Sequence, residues 1–262
     1  MRVLIIGGAG GIAYLTAKRF VECGDMVYLG VHTDSQLDMV KNKNKLDGIF
    51  MHIFKIDILN DKDLEILDKI EYDILWSHAG IGIGGSLLYM DVEHLKSNYD
   101  VNVFCTMKVV QRGYKNMIKR NISGRIFVTS SMARCLPFPF LSSYTSSKAS
   151  LSMLVRTINE ELHFLKSSIS ISLIELGAYH TGFNQVMIDN KEKYLEEDSL
   201  FYKRVSSINR LQRNVFRLME DDNIDKLSCN LVKQMKRKRV KFLIRYPKAQ
   251  SVFTKIYDIF KI

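Results

Sequence analysis

The stretch MRVLIIGGAGGIA, residues 1–13, decides the fold: an apolar run at 2–6 leads into a turn holding Gly7, Gly8, Gly10 and Gly11, then into a helical pattern. That pattern passes through Ala17, Phe20 and Val21 and stops at Gly24. The order is strand, glycine turn, helix. A backbone without Cβ atoms can approach a pyrophosphate closely, and the helix amino terminus supplies N–H groups and a dipole that favour its charge. A merely tight turn uses the same residues, so the rest of the chain has to decide between the two. The glycines also break the apolar run, and Lys18-Arg19 follow it, so the start reads as a buried strand rather than a secretion signal.

Outward from this unit, apolar runs recur at 26–31, 49–56, 73–76, 125–129, 169–176 and 240–246, with helical patterns among them at about 92–119 and 222–237. Strands alternating with helices predict an α/β fold, a doubly wound, Rossmann-type parallel sheet with helices on both faces. One such domain accounts for all 262 residues. From 182 to about 214 the pattern loosens into polar and aromatic residues with weak helical periodicity. Placed at the crevice end of a sheet, that segment is expected to be a mobile substrate lid.

Composition narrows the class. A chain that is 47% hydrophobic and 25% charged is globular, and no apolar run approaches the roughly eighteen residues of a membrane span. Cys23, Cys105, Cys135 and Cys229 are too scattered for a metal set or a disulfide framework, which fits a reducing cytoplasm. The net charge of +10 is concentrated at the end, where ten Lys or Arg between 233 and 262 face one acid, Asp258. A solvated helix end with a basic edge strand explains this, as does an anionic partner or peripheral contact with an anionic membrane surface. Val252, Phe253, Ile256, Tyr257 and Phe260 repeat at helical spacing and would pack either on the lid or on a membrane or partner. The basic residues lack an interleaved aromatic platform, which argues against nucleic acid.

The stretch SMARCLPFPFLSSYTSSK, 131–148, carries the candidate chemistry. Positions four apart share a helix face, so Tyr144 and Lys148 project side by side. An ammonium one turn away would stabilise a phenolate that otherwise forms near about pH 10. A solvated surface pair has the same spacing, so the weight rests on the surroundings. Ser131 follows a buried strand and would face the crevice of an open sheet. At the end of the second strand no acid precedes Asp34; His32 and Thr33 could serve a 2′-phosphate, so NADP(H) is expected over NAD(H). Asp57 either accepts from adenine or caps a helix. Ala79 and Gly80 are small enough for a ribose to come close. Asn102, among Val101, Val103 and Phe104, needs a partner, either a structural hydrogen bond or an ordered water in a proton path.

Together these residues resemble the short-chain dehydrogenase/reductase family, in its compact single-domain branch. Gly7-x3-Gly11-x-Ala13, Asp57, Ala79-Gly80, Asn102, Ser131, Tyr144-x3-Lys148 and Gly177-x3-Thr181 stand in family order and at family spacings over about residues 2–181. The resemblance implies an NAD(P)(H)-dependent oxidoreductase that interconverts a ketone or aldehyde with an alcohol by hydride transfer. It implies that Tyr144 is general acid in reduction and base in the reverse. Ser131 would hold the carbonyl oxygen, Lys148 would lower the Tyr144 pKa and bind the nicotinamide ribose, and Asn102 would hold a water linking Lys148 to solvent. The nucleotide would lie along Gly7, Gly11, Ile12, His32, Thr33, Asp57, Ile58, Ala79 and Gly80, with Thr181 and the Tyr179 backbone on its carboxamide. No metal is implied; an apolar small-molecule substrate and a homo-oligomer, first of all a dimer, are. The chain departs from the family at Ile6 (a threonine there), Ala13 (the third glycine), Ser77-His78 (an asparagine pair) and Leu176 (a proline). With the basic ending, these motivate a competing reading, a catalytically silent nucleotide sensor or membrane-associated scaffold on the same fold.

Overall fold

The computed structural model describes residues 1–189 and 200–260, with the side chains at 253 and 258–260 outside that description. Part of the expected lid, and the side chains of Phe253 and Phe260, therefore lie outside the described residues. In chain order the elements are β1 (Arg2–Ile6), α1 (Gly11–Glu22), β2 (Met26–Val31), α2 (Asp34–Leu46), β3 (His52–Lys55), α3 (Ile66–Lys69) and β4 (Ile74–Ser77). Then come α4 (Val92–Tyr99), a π-helical turn (Asp100–Cys105), α5 (Thr106–Lys119), β5 (Arg125–Ser131), α6 (Ser142–Phe164) and β6 (Ser170–Leu176). The chain continues with α7 (Phe183–Asp189), α8 (Val205–Met219), α9 (Ile224–Met235), β7 (Leu243–Tyr246) and α10 (Lys248–Phe260).

The seven strands form one parallel sheet in the order β3-β2-β1-β4-β5-β6-β7. Alternation along each strand explains why these segments read as continuous apolar runs: a parallel sheet covered by helices buries both of its faces. Val3, Ile5 and Trp76 pack beneath α1 and α9, whereas Leu4, Ile6 and Leu75 pack beneath α5 and α6. Truncating a fully buried residue such as Leu4 to Ala should cost about 2–5 kcal/mol. From β1 the chain winds outward through β2 and β3, then returns to start β4 on the other side of β1. The carboxyl ends of β1 and β4 thus flank the crevice where open α/β sheets bind ligands.

Three expectations need correction. The third strand is only His52–Lys55, because Phe50 lies in the preceding connection and is exposed. The helical segment from 92 to 119 is broken by the π turn at Asp100–Cys105. Such turns widen a helix by one residue; here it carries Asn102, whose side chain is wholly buried. The loose region after Gly182 contains α7 and α8, and on α8 only Val205 and Asn209 are buried. Two residues of the basic ending are built into the fold, and most of the others are exposed. Lys236 pairs with the buried Asp25 at 2.5 Å and Arg245 with the buried Glu175 at 2.6 Å, while Arg237, Lys238, Arg239 and Lys241 are exposed. No helix among the described residues is long and apolar enough to cross a membrane.

Candidate active site

β1 ends where Gly7 takes φ +97°, a left-handed conformation that favours glycine, and a Cβ there would come within 2.5 Å of the Ala79 backbone nitrogen. Beyond it, Gly10 and Gly11 face open space: a Cβ on either would meet nothing within 4 Å. Gly10 is the N-cap of α1 without a side-chain cap, so the first-turn N–H groups are presented to the cavity that Gly10 and Gly11 line. That is a fitting cradle for a nucleotide diphosphate.

The cavity has a volume of about 810 Å³ and runs along the carboxyl ends of β1, β4, β5 and β6. Of the nucleotide residues expected from sequence, Gly7, Gly11, Ile12, His32, Asp57, Ile58, Ala79, Gly80, Tyr179 and Thr181 all line it. Thr33 does not: its hydroxyl accepts the Gln36 N–H at 3.2 Å as the N-cap of α2. Gln36 itself lines the cavity instead, a residue the sequence reading missed. Asp57 sits with a carboxylate oxygen 3.6 Å from His32 Nε2 and accepts the Leu59 N–H at 3.0 Å. It is therefore both a turn-forming residue and part of the wall.

At the other end, Ser131, Tyr144 and Lys148 converge. Ser131 is the last residue of β5; its hydroxyl donates to the Leu176 carbonyl at 3.3 Å and accepts the Ala133 N–H at 3.1 Å. Tyr144 and Lys148 lie one turn apart on α6, with Nζ 5.8 Å from the phenol ring centre. Nζ donates to the Thr129 carbonyl at 3.3 Å. Both side chains are buried, and burial sets their acidity. The Tyr144 phenol is pushed up to about 12, with a hydrogen bond to Ser131 acting in the opposite direction. Burial lowers the Lys148 ammonium to about 8. Desolvation is the largest influence on the Tyr144 phenol, ahead of the opposing effect of Ser131. At neutral pH the phenol holds its proton, the form required of an acid, and most of the ammonium remains charged.

Asn102 stands behind this wall. Its amide donates to the Ile81 carbonyl at 2.9 Å and to the Ser147 hydroxyl at 3.0 Å, while its oxygen accepts the Ile81 N–H at 2.9 Å. Of the two readings left open by the sequence, the side chain fits the structural hydrogen bond. It clamps the loop after β4 to α6. The clamp is close: a Cβ at Gly80 would lie 3.1 Å from both Asn102 Oδ1 and Lys148 Nζ. The altered pair after Trp76 behaves differently at its two positions. Ser77 is buried with its hydroxyl unpartnered, whereas His78 reaches the cavity and contacts Thr129 Oγ1 through Nδ1 at 3.0 Å.

The remaining wall is apolar and comes from the connection between β5 and α6 together with α7 and α8. Leu136, Phe138, Leu141, Met187, Phe216 and Met219 line it, and the Tyr144 ring lies 5.7 Å from that of Phe183. α10 closes the side: Gln250 accepts the Ala178 N–H at 3.0 Å and donates to the Met219 carbonyl at 2.7 Å. α10 thus lies against the site through Gln250 and Thr254 on the cavity wall, while Val252 and Ile256 of the apolar stripe are exposed.

A diphosphate cradle and a buried serine, tyrosine and lysine on a doubly wound sheet define a nucleotide-dependent oxidoreductase. The chain belongs to the short chain dehydrogenase family, whose model matches residues 1–192. It is 28% identical over 200 residues to a glucose 1-dehydrogenase of Gluconobacter oxydans, covering 74% of each chain. It is 27% identical over 231 residues to an L-rhamnose 1-dehydrogenase (NADP(+)) of Thermoplasma acidophilum, covering 84% of this chain and 89% of that one. A short chain dehydrogenase/reductase from Burkholderia phymatum, solved in complex with NAD, superposes with a TM-score of 0.79 at 18% identity, over 98% of this chain and 92% of that one. The chain is accordingly an oxidoreductase that interconverts alcohols and carbonyls with NAD(P), and the silent sensor or scaffold reading falls.

Proposed function

We propose that the enzyme reduces an apolar ketone or aldehyde, with Tyr144 as the proton donor. The observation that carries this reading is the Tyr144 phenol, buried beside Ser131 and Lys148 at the meeting point of the nucleotide cradle and the apolar wall. A bound dinucleotide supplies the hydride. Ser131 holds the carbonyl oxygen and stabilises the charge that grows on it, and Tyr144 delivers its proton to the same oxygen. Lys148, fixed by the Thr129 carbonyl, holds the nicotinamide ribose and offsets negative charge near the phenol. Asn102 is a positioning residue that keeps the Gly80–Ile81 backbone against α6.

The apolar wall supports the substrate class. Its six side chains named above are neutral and carry no strong hydrogen-bonding group, so a sugar or amino acid would leave its polar groups unpaired there. The segment around α7 and α8 serves as the lid over this end. NADPH is the preferred reductant in this reading, supported by the absence of an acid at the end of β2. With His32 as the side chain there, the preference over NADH should be only a few-fold, roughly what one exposed polar contact provides. The test is a panel of aliphatic, aromatic and polycyclic ketones and aldehydes, with sugars as controls, followed by nucleotide absorbance with NADPH and NADH. Turnover of the apolar compounds with no turnover of sugars is expected. Selective sugar turnover would reverse the substrate assignment.

A further inference from the structure

Asn184 brings an amide to the apolar end of the cavity. It lies in the first turn of α7, lines the cavity and is 9% exposed. Its two polar ends have different surroundings. Nδ2 donates to Glu220 Oε1 at 2.8 Å, and the other oxygen of that carboxylate lies 2.9 Å from His180 Nδ1. A carboxylate only accepts, so Glu220 holds the NH2 end of the amide and fixes which way the side chain faces. Oδ1 has no hydrogen-bond partner among the described residues, yet it is not one of the polar atoms sealed off from solvent. Gln250, the other amide at this end, has both ends engaged, by Ala178 and Met219. A side chain as buried as Asn184 keeps an unpaired oxygen only where something else supplies the donor. In an empty cavity solvent can do so. A compound that fills the cavity displaces that water, and must bring a donor of its own or leave the oxygen unpaired.

We infer that Asn184 is a specificity-determining residue whose amide, oriented by Glu220, accepts a hydrogen bond from a hydroxyl of the substrate. The preferred ketone or aldehyde is then an apolar compound that also carries a hydroxyl group. This deepens the proposed function and rests on it. The placement of α7 supports it. Phe183 and Met187, one turn apart, both press on Gly82 in the loop after β4, where a Cβ would collide with Met187 and come within 3.3 Å of the Phe183 ring. The Phe183 ring centre is 5.7 Å from that of Tyr144, so the next residue stands within a small molecule's length of the proton donor. Glu220 follows Met219, which lines the same wall. The nicotinamide carboxamide is the rival donor, but these neighbours set Asn184 among the substrate-facing side chains. One acceptor serves one hydroxyl, so the expectation that sugars are not turned over stands.

Aryl ketones give matched probes: acetophenones and 1-tetralones with a ring hydroxyl, and the same skeletons with that hydroxyl methylated. The methyl ether keeps an oxygen and loses the donor. The ratio of kcat/KM for hydroxyl over methyl ether should be about tenfold in wild type for at least one ring position, the scale of one hydrogen bond. In Asn184→Leu, which has a similar volume and no polar end, the ratio should fall to about one while NADPH affinity stays unchanged. Glu220→Ala keeps Asn184 but frees its amide to turn its NH2 toward an ether oxygen. There the ratio should fall through faster reduction of the methyl ethers. A purely structural role would slow both compounds alike and leave the ratio at its wild-type value. No preference in wild type at any ring position, or an unchanged ratio in either variant, would overturn the proposal. Weaker NADPH binding by Asn184→Leu with the ratio intact would do the same, because it marks a nucleotide contact. Failure of wild type to reduce any of these ketones, hydroxylated or not, would instead overturn the reading of the enzyme as a reductase of apolar carbonyls.

Discussion

The two ends of the cavity are built in different ways. Around Ser131, Tyr144 and Lys148 the wall is made of polar groups whose partners are mostly backbone: Leu176 and Thr129 carbonyls, the Ala133 N–H, and the Ile81 backbone held by Asn102. The far end is made of side chains from Leu136, Phe138, Met187 and Phe216, with Gln250 as its hydrogen-bonded brace. Backbone partners fix atoms to fractions of an ångström and survive most neighbouring substitutions. Apolar side chains fill volume and can be exchanged, so the first end suits invariant chemistry and the second suits substrate choice.

The largest effect that separates the ends is expected from Lys148→Met. Turnover should fall about a thousandfold, within the range for a group that supports proton transfer. Stability should move the other way. The ammonium has a folded pKa of about 8 against 10.5 unfolded, so the cost of burying its charge is fully present below pH 8 and disappears as pH rises to 10.5. The variant should therefore be more stable than wild type at pH 7 by at most about 3 kcal/mol, less the lost Thr129 bond, with the gain shrinking toward pH 10.5. Thermal melts across that range give the answer. A destabilised variant at pH 7 would mean that the ammonium is held by more than the Thr129 carbonyl.

Ser131→Ala should lower kcat about a hundredfold while the dissociation constant for NADPH stays unchanged, because the hydroxyl acts on the carbonyl oxygen as charge develops. Steady-state kinetics together with nucleotide titration distinguish this from a general loss of structure. At the other end, Gln250→Ala removes both the Ala178 and the Met219 bonds. It should reduce kcat/KM about tenfold with an unaltered pH profile, since two ordinary hydrogen bonds are lost and neither touches the proton donor. A changed pH profile would draw Gln250 into the acid–base machinery. The smallest effect should come from His32→Ala, a few-fold change in the NADPH to NADH preference with kcat unaffected; the exposed imidazole can contribute only a screened contact.

The same contrast explains what could be read from sequence. The catalytic end is encoded locally. Gly7 needs a positive φ, Tyr144 and Lys148 need one helical turn, and Ser131 needs the end of a buried strand, and each requirement leaves a residue type at a fixed spacing. The strand runs were legible because burial on both faces leaves little room for polar residues. Other features depend on partners distant in the chain. The π turn that turns Asn102 inward looks like ordinary helix in the sequence. Thr33 looked like a nucleotide ligand because its hydroxyl is equally suited to an N-cap, which is where the structure uses it. Gln250 lies 72 residues from Ala178, so no spacing rule could link them. The raised Tyr144 pKa depends on desolvation by Leu141, Met187 and Phe183, which only packing brings to the phenol.

In the proposed mechanism Tyr144 gives its proton to the substrate oxygen while the neighbouring wall holds the nucleotide. Tyr144→Phe removes one hydroxyl and little volume, so turnover and NADPH affinity measured side by side on one preparation test it most directly. Carbonyl reduction should be at least about a thousandfold slower, near the upper end of what a general acid contributes, with the NADPH dissociation constant within about twofold of wild type. A variant that binds NADPH normally and reduces the same carbonyl at the wild-type rate would contradict it.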